Sequence, residues 1–237
     1  KFLSLSPAVF FFAAPMSESL FLLCTLGCMY LVRRGKMLPA CLLGAYAAFT
    51  RSLGVVLIVP VVFELVQRRA KLKDYLCVLI IPLGFAAYCL VNYTVSGDAF
   101  TFMQYQREHW NQQLGWFFNT AAYQTENAIY SASGNGVNFF GLWLPNLLAQ
   151  ALSLVLMLFA VKRLRSSYTA YFLAYFIVAV GATWLLSAPR YLAAAFTVPT
   201  ALAVITHDRR VDWCLTTLSV LAGAVYLCEF ILRWQVW

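Results

Sequence analysis

The chain is short of charge, and shorter still of acid. Only 11% of its 237 residues are charged, nine are Asp or Glu, and two are His. A soluble domain carries about a quarter of its residues as charge, so an ordinary water-facing surface is excluded. Strict alternation of apolar and polar residues is absent, which argues against a membrane β-barrel. No glycine-rich phosphate loop, zinc motif or nucleophile elbow occurs, and no internal repeat or low-complexity linker divides the sequence. The seven cysteines lie in apolar tracts, and Cys24 and Cys28 have no histidine or acid in register with them. They are expected to be small buried hydrophobes, with neither a disulfide framework nor a metal site.

What remains is hydrophobic: 62% of residues, in continuous runs. Several runs approach or exceed the length needed to cross hydrocarbon. The fold class is therefore all-α, a polytopic transmembrane helical bundle in one domain spanning 1–237. The net charge of +8 does not indicate nucleic acid, because twelve of the seventeen Lys and Arg fall in four short patches. These are Arg33, Arg34 and Lys36; Arg68, Arg69, Lys71 and Lys73; Lys162, Arg163 and Arg165; and Arg209 and Arg210. Such clusters mark cytoplasmic loops. The chain begins at Lys1 inside an apolar run, so an amino-terminal part is expected upstream.

The patches fix a topology. Residues 2–14 run outward, and a helix from about Glu18 returns to the first patch. Residues 37–66 lie between two inside patches and must cross an even number of times, yet thirty residues cannot make two full spans. Two half-length helices, 37–50 and 52–66, are expected to meet at Arg51. At 1.5 Å per residue each covers only about 21–23 Å of roughly 30 Å. Spans follow at 74–95, 137–161 and 167–186, then a short returning helix at 191–206 and a last helix at 212–233. Trp234 and Trp237 suit the interfacial belt, and Glu229 and Arg233 are spaced to pair along the last helix. In all, about nine membrane helices or half-helices are expected. Residues 96–136 form a long outer loop whose first part mixes aromatic and polar side chains, as in a helix lying along the interface. Ser133 to Gly136 is a turn signal before the next span.

Arg51 and Arg190 stand apart from the patches, in long apolar tracts on the opposite side. A guanidinium at membrane depth is unfavourable by at least about 2.5–3.5 kcal/mol and usually faces a cavity. Each lies at the start of an inward-running helix, where N–H groups converge and a cation is disfavoured. A bound phosphate would offset both, giving an anion-binding site on the outer face. The structural alternative pairs Arg51 or Arg190 with Glu18 or with carbonyl groups. Glu18 suits the helix terminus it begins, with Ser17 as its N-cap. His109 is either an acid–base group near neutral pH or a surface residue. Gln104, Gln106 and Trp110 could meet a sugar, and an interfacial helix would carry them in any case.

Three stretches carry a resemblance: Ser6 to Phe11 with Ser17 to Phe21, then Thr50 to Gly54, then Ser187 to Tyr191. In order and spacing the chain resembles the PIG-V-like mannosyltransferases, the family of the second GPI mannosyltransferase and its bacterial relatives. Gln106 and Trp110 are similar to that family as well. The resemblance implies a GT-C glycosyltransferase fold, a polyprenyl-phosphate sugar as donor and inverting transfer at the non-cytoplasmic face. The family's motifs fall on Glu18, on Arg51, and on Arg190 with Tyr191. The family's base is an acid in the first outer loop, which would lie upstream of Lys1, so this fragment is expected to be inactive alone.

The expected function is therefore transfer of a hexose, mannose by the resemblance, from a polyprenyl-phosphate-linked donor to an outer-face glycan or glycolipid. No metal or further cofactor is expected. Substrate contacts fall to Arg51, Arg190, Tyr191, Gln106, Trp110 and His109, and Glu18 is the catalytic candidate within the chain. The expected partners are membrane lipid, the donor and the acceptor. The expected location is a bacterial plasma membrane, or the endoplasmic reticulum membrane in a eukaryote. The alternative is a lipid-phosphate or lipid-linked-sugar transporter, whose broken helices would also converge on an anion.

Overall fold

The computed structural model describes residues 1–110, 115–180, 187–234 and 236. All regular structure among them is helical. In chain order the helices are α1 (Glu18–Arg33), α2 (Met37–Thr50), α3 (Ser52–Gln67, opening with a 3-10 stretch), α4 (Leu72–Ser96) and α5 (Thr101–Trp110). They continue as α6 (Phe117–Gly134), α7 (Gly136–Ala160, with a π-turn at Phe139–Trp143), α8 (Ser166–Val180), α9 (Ala188–Ala194), α10 (Thr197–Ile205) and α11 (Arg209–Ile231). Three of these, α4, α7 and α11, are long and apolar enough to cross a membrane, and a fourth span results if α9 and α10 count as one. Shorter apolar helices are α2, α3 and α8.

The chain packs as two compact units, each built from separated stretches of sequence. One holds residues 17–111 and 165–175. Here α1, α2, α3 and α4 lie against one another. Their approach is close because the contact positions are small. A Cβ on Gly84 of α4 would sit 1.8 Å from the Ala45 carbonyl oxygen of α2, and one on Gly54 would sit 2.3 Å from the Ala48 nitrogen. Leucines 72, 76, 79, 83 and 90 of α4 are exposed. Their spacing of about one turn gives a single apolar stripe suited to lipid. α4 ends where Gly97 takes φ 79°, and the Asp98 side chain then accepts from the Phe100 N–H at 2.9 Å. That corner starts α5, where Phe102 lies 5.3 Å from Tyr88 of α4, ring to ring.

The other unit holds residues 1–16, 112–164 and 176–237. Lys1 pairs with Asp212 near the start of α11, while Phe10 packs on Tyr226 and Phe230 near its end. Residues 1–10 therefore follow α11 over about 20 Å at 1.5 Å per helical residue, with turns and one 3-10 stretch (Val9–Phe12) in place of a membrane helix. Asn135 caps α7 by accepting from the Asn138 N–H at 3.1 Å, at the place where the turn signal lies. Gln150 of α7 donates to Gln124 of α6 at 2.6 Å.

Three local expectations need correction. The single helix expected at 191–206 is two, α9 and α10, bent by 75°. Pro199 has no N–H to offer the Ala195 carbonyl and its ring would collide there, so the helix stops and restarts with proline in the new first turn. Among the described ion pairs none joins Glu229 to Arg233. Arg233 lies beyond the end of α11 and takes a left-handed φ of 58°, which removes it from the helical register. Cys24, Cys28 and Cys41 are buried, but Cys214 and Cys228 are exposed on α11. The outer end expected for the 167–186 span, and Trp237, lie outside the described residues.

Candidate functional site

Arg51 occupies the joint between the two half-length helices. α2 closes with the Arg51 N–H donating to the Ala47 carbonyl at 2.9 Å, and Arg51 itself is extended, with φ −147° and ψ 134°. Its carbonyl then accepts from the Gly54 N–H at 2.8 Å, which opens α3. The guanidinium reaches back to the Glu18 carboxylate, the first residue of α1. The Glu18 side chain is 1% exposed and out of water, while that of Arg51 is 10% exposed and keeps a narrow open edge. The Phe21 ring, on the next turn of α1, lies 6.0 Å from the guanidinium. The structural pairing considered for Arg51 is thus present. Ser17 does not cap α1: its backbone is helical (φ −81°, ψ −5°) and its hydroxyl makes no capping bond. A side-chain cap normally needs an extended N-cap residue.

Arg190 belongs to the other unit, in the first turn of α9. Its guanidinium lies 5.7 Å from the Phe11 ring, and Phe11 in turn meets Tyr226 of α11 edge-on at 6.4 Å. The start of α9 is already well supplied with acceptors. Ala188 donates its N–H to Asn146 of α7 at 2.7 Å, Pro189 has none, and Tyr191 donates to the Ser187 carbonyl at 3.1 Å. Any anion here would be held mainly by the guanidinium, with little help from helix N–H groups. Tyr191 is half-buried.

Gln106 and His109 are exposed on α5, and His109 stacks on Tyr105 with ring centres 4.3 Å apart. The Trp110 side chain lies outside the described residues. Arg51 and Glu18 are therefore brought together within one unit, whose α5 carries Gln106 and His109, while Arg190 and Tyr191 belong to the other.

The strongest polar cluster was not anticipated. Glu64 of α3 is fully buried and accepts from four donor atoms. Arg165 reaches it through Nε at 3.0 Å and a terminal nitrogen at 3.1 Å, Arg68 at 3.2 Å, and the Ser167 hydroxyl at 2.7 Å. Hydrogen bonding to the carboxylate raises the Arg165 pKa further above its ordinary value, so this cation never titrates in the working range. Arg68 also bonds the Val32 carbonyl at the end of α1. In the sequence, Arg68 and Arg165 were two members of ordinary basic patches. The available signal was a lone acid, Glu64, four residues before an arginine in an apolar helix.

No protein-family model, curated protein or solved structure matches the chain. Among the described residues no group of three or more His, Cys, Asp or Glu could hold a metal ion.

Proposed function

We propose that the protein is a GT-C-type glycosyltransferase. It moves a hexose, mannose by its resemblance to PIG-V-like enzymes, from a polyprenyl-phosphate donor to an acceptor hydroxyl at the outer face of a bacterial plasma membrane. About nine membrane helices or half-helices frame the reaction. The observation that carries this reading is the largely buried Glu18–Arg51 pair at the joint of two half-length helices, with the guanidinium as its exposed member. Desolvating two charges is unfavourable by several kcal/mol per ion and is poorly repaid by their attraction. Ionisable groups retained at such depth serve function by default.

The donor's phosphate lies at the interface and its chain in the bilayer, which suits a submerged guanidinium. In transfer the acceptor oxygen bonds to the anomeric carbon and the bond from that carbon to the phosphate oxygen breaks. The electron pair leaves on the lipid phosphate, and the acceptor proton passes to a carboxylate base. Arg51 stabilises the departing phosphate as its charge develops, with Glu18 holding the guanidinium in place. Arg190 and Tyr191 contribute to substrate binding, and Gln106 and His109 meet the sugar from the outer segment. One feature favours the transporter reading instead. α9 and α10 form a helix broken by 75°, as helices at transporter binding sites often are.

The test is transfer from a polyprenyl-phosphate mannose by the full-length protein. Arg51→Lys and Arg190→Lys keep the charge but lose the planar fork. Each should lower turnover by about 100–1000-fold, the range seen when one preorganised donor is lost, with expression unchanged. Wild-type turnover in both variants would refute the proposal. Lipid-phosphate translocation without any transfer would establish the transporter.

A further inference from the structure

Three arginines from distant parts of the chain meet at the basic end of the unit that holds α1 to α5. Arg68 lies against Glu64 and the Val32 carbonyl, Arg165 grips both Glu64 oxygens, and Arg33 donates to the Tyr168 hydroxyl at 3.2 Å. Glu64 balances one of these three positive charges. It is fully buried, whereas the side chains of Arg68 and Arg165 are 32% and 44% exposed. The acid thus sits beneath the guanidiniums and fixes them, and their outer edges remain in contact with solvent. Arg69 and Lys71, both exposed, extend the positive surface. Within a few residues of Arg68, Arg69 and Lys71 along the chain, α3 and α4 expose Phe63, Val66, Leu72 and Leu76.

A fixed cationic ledge above an apolar wall has the chemistry of one kind of partner. A phosphate meets guanidiniums through paired, charge-assisted hydrogen bonds, and acyl chains lie along the aliphatic side chains below. The rule that places basic residues in cytoplasmic loops accounts for the charge. It does not require that two of the arginines be pinned by a buried acid. We propose that this end of the molecule is a binding site for the headgroup of an anionic phospholipid in the leaflet on the basic side. The site is separate from Arg51 and does not depend on the transfer reaction.

The experiment is native mass spectrometry of the full chain in detergent, titrated with phosphatidylglycerol or phosphatidylcholine. The variant is R33Q/R69Q/K71Q, which leaves Glu64, Arg68, Arg165 and Ser167 intact, with thermal unfolding as the check on folding. Phosphatidylglycerol should be retained at least about a hundredfold more strongly than phosphatidylcholine, the combined effect of three such cations. The variant should lose about fivefold for each cation removed, the effect of one basic residue near an anionic surface. Equal retention of the two lipids, or undiminished retention by the folded variant, would overturn the proposal. So would stabilisation by millimolar inorganic phosphate equal to that given by phosphatidylglycerol, since the site would then be one for free anions.

Discussion

The unit built on α1 to α4 buries two carboxylates, Glu18 and Glu64, and surrounds them differently. Arg51, beside Glu18, is only 10% exposed, so the acid is removed from water and the cation nearly so. Around Glu64 only the acid is removed, while the Arg68 and Arg165 side chains stay 32% and 44% exposed. Hydration retained by the cations lowers the desolvation penalty, and four donor atoms satisfy the carboxylate. The Glu64 cluster is therefore a favourable clamp, joining the ends of α1 and α3 to the start of α8. Sealing both members of a pair adds little stability. On the proposed function, the difference separates a group that holds the fold from one retained for the donor's phosphate.

The largest expected effect attacks the clamp. R68A/R165A leaves a buried carboxylate without its cations and should lower stability by about 3–5 kcal/mol, read from thermal unfolding in detergent. Adding E64Q should restore most of the loss. If the double variant unfolds with the wild type, the cluster is not a clamp and the contrast with Glu18 disappears.

Gly84→Ala sharpens the comparison from the other side. The new methyl would overlap the Ala45 carbonyl, pushing α2 away from α4. Overpacking should lower stability by about 1–3 kcal/mol. Because α2 leads into Arg51, transfer should fall as well, by more than in a clamp variant of equal stability loss. Equal loss of transfer at equal stability would show that Arg51 has no special sensitivity.

The smallest effect extends the comparison to Arg190. Asn146→Ala removes the acceptor for the Ala188 N–H and should lower stability by about 1 kcal/mol, as lost helix caps do. Transfer should fall further than that change in stability explains, because α9 carries Arg190. A variant with full transfer would detach Arg190 from the reaction.

The half-length helices were legible in the sequence because the basic patches bracket them and Arg51 interrupts them. Expected at 37–50 and 52–66, they form as Met37–Thr50 and Ser52–Gln67. The pairing of Arg51 with Glu18 was one of two alternatives that local patterning could not separate. The Glu64 clamp was hidden because Arg165 and Ser167 lie more than a hundred residues away in sequence. An arginine in a basic loop looks the same whether or not an acid is buried beneath it. The break between α9 and α10 was encoded in Pro199 and was masked by the apolar run around it. Cooperation of residues 1–12 with α11 depends on tertiary packing of Phe10 on Tyr226 and Phe230, which no local period reveals.

The central claim is that the Glu18–Arg51 pair is kept for the phosphate of a lipid-linked donor. Its most direct test is E18Q/R51Q, which removes both charges together and leaves neither stranded. Stability should be unchanged or slightly higher, as for other neutralised buried pairs. Transfer from the polyprenyl-phosphate sugar should fall by at least about 100-fold. A stable double variant that transfers at the wild-type rate would contradict the account.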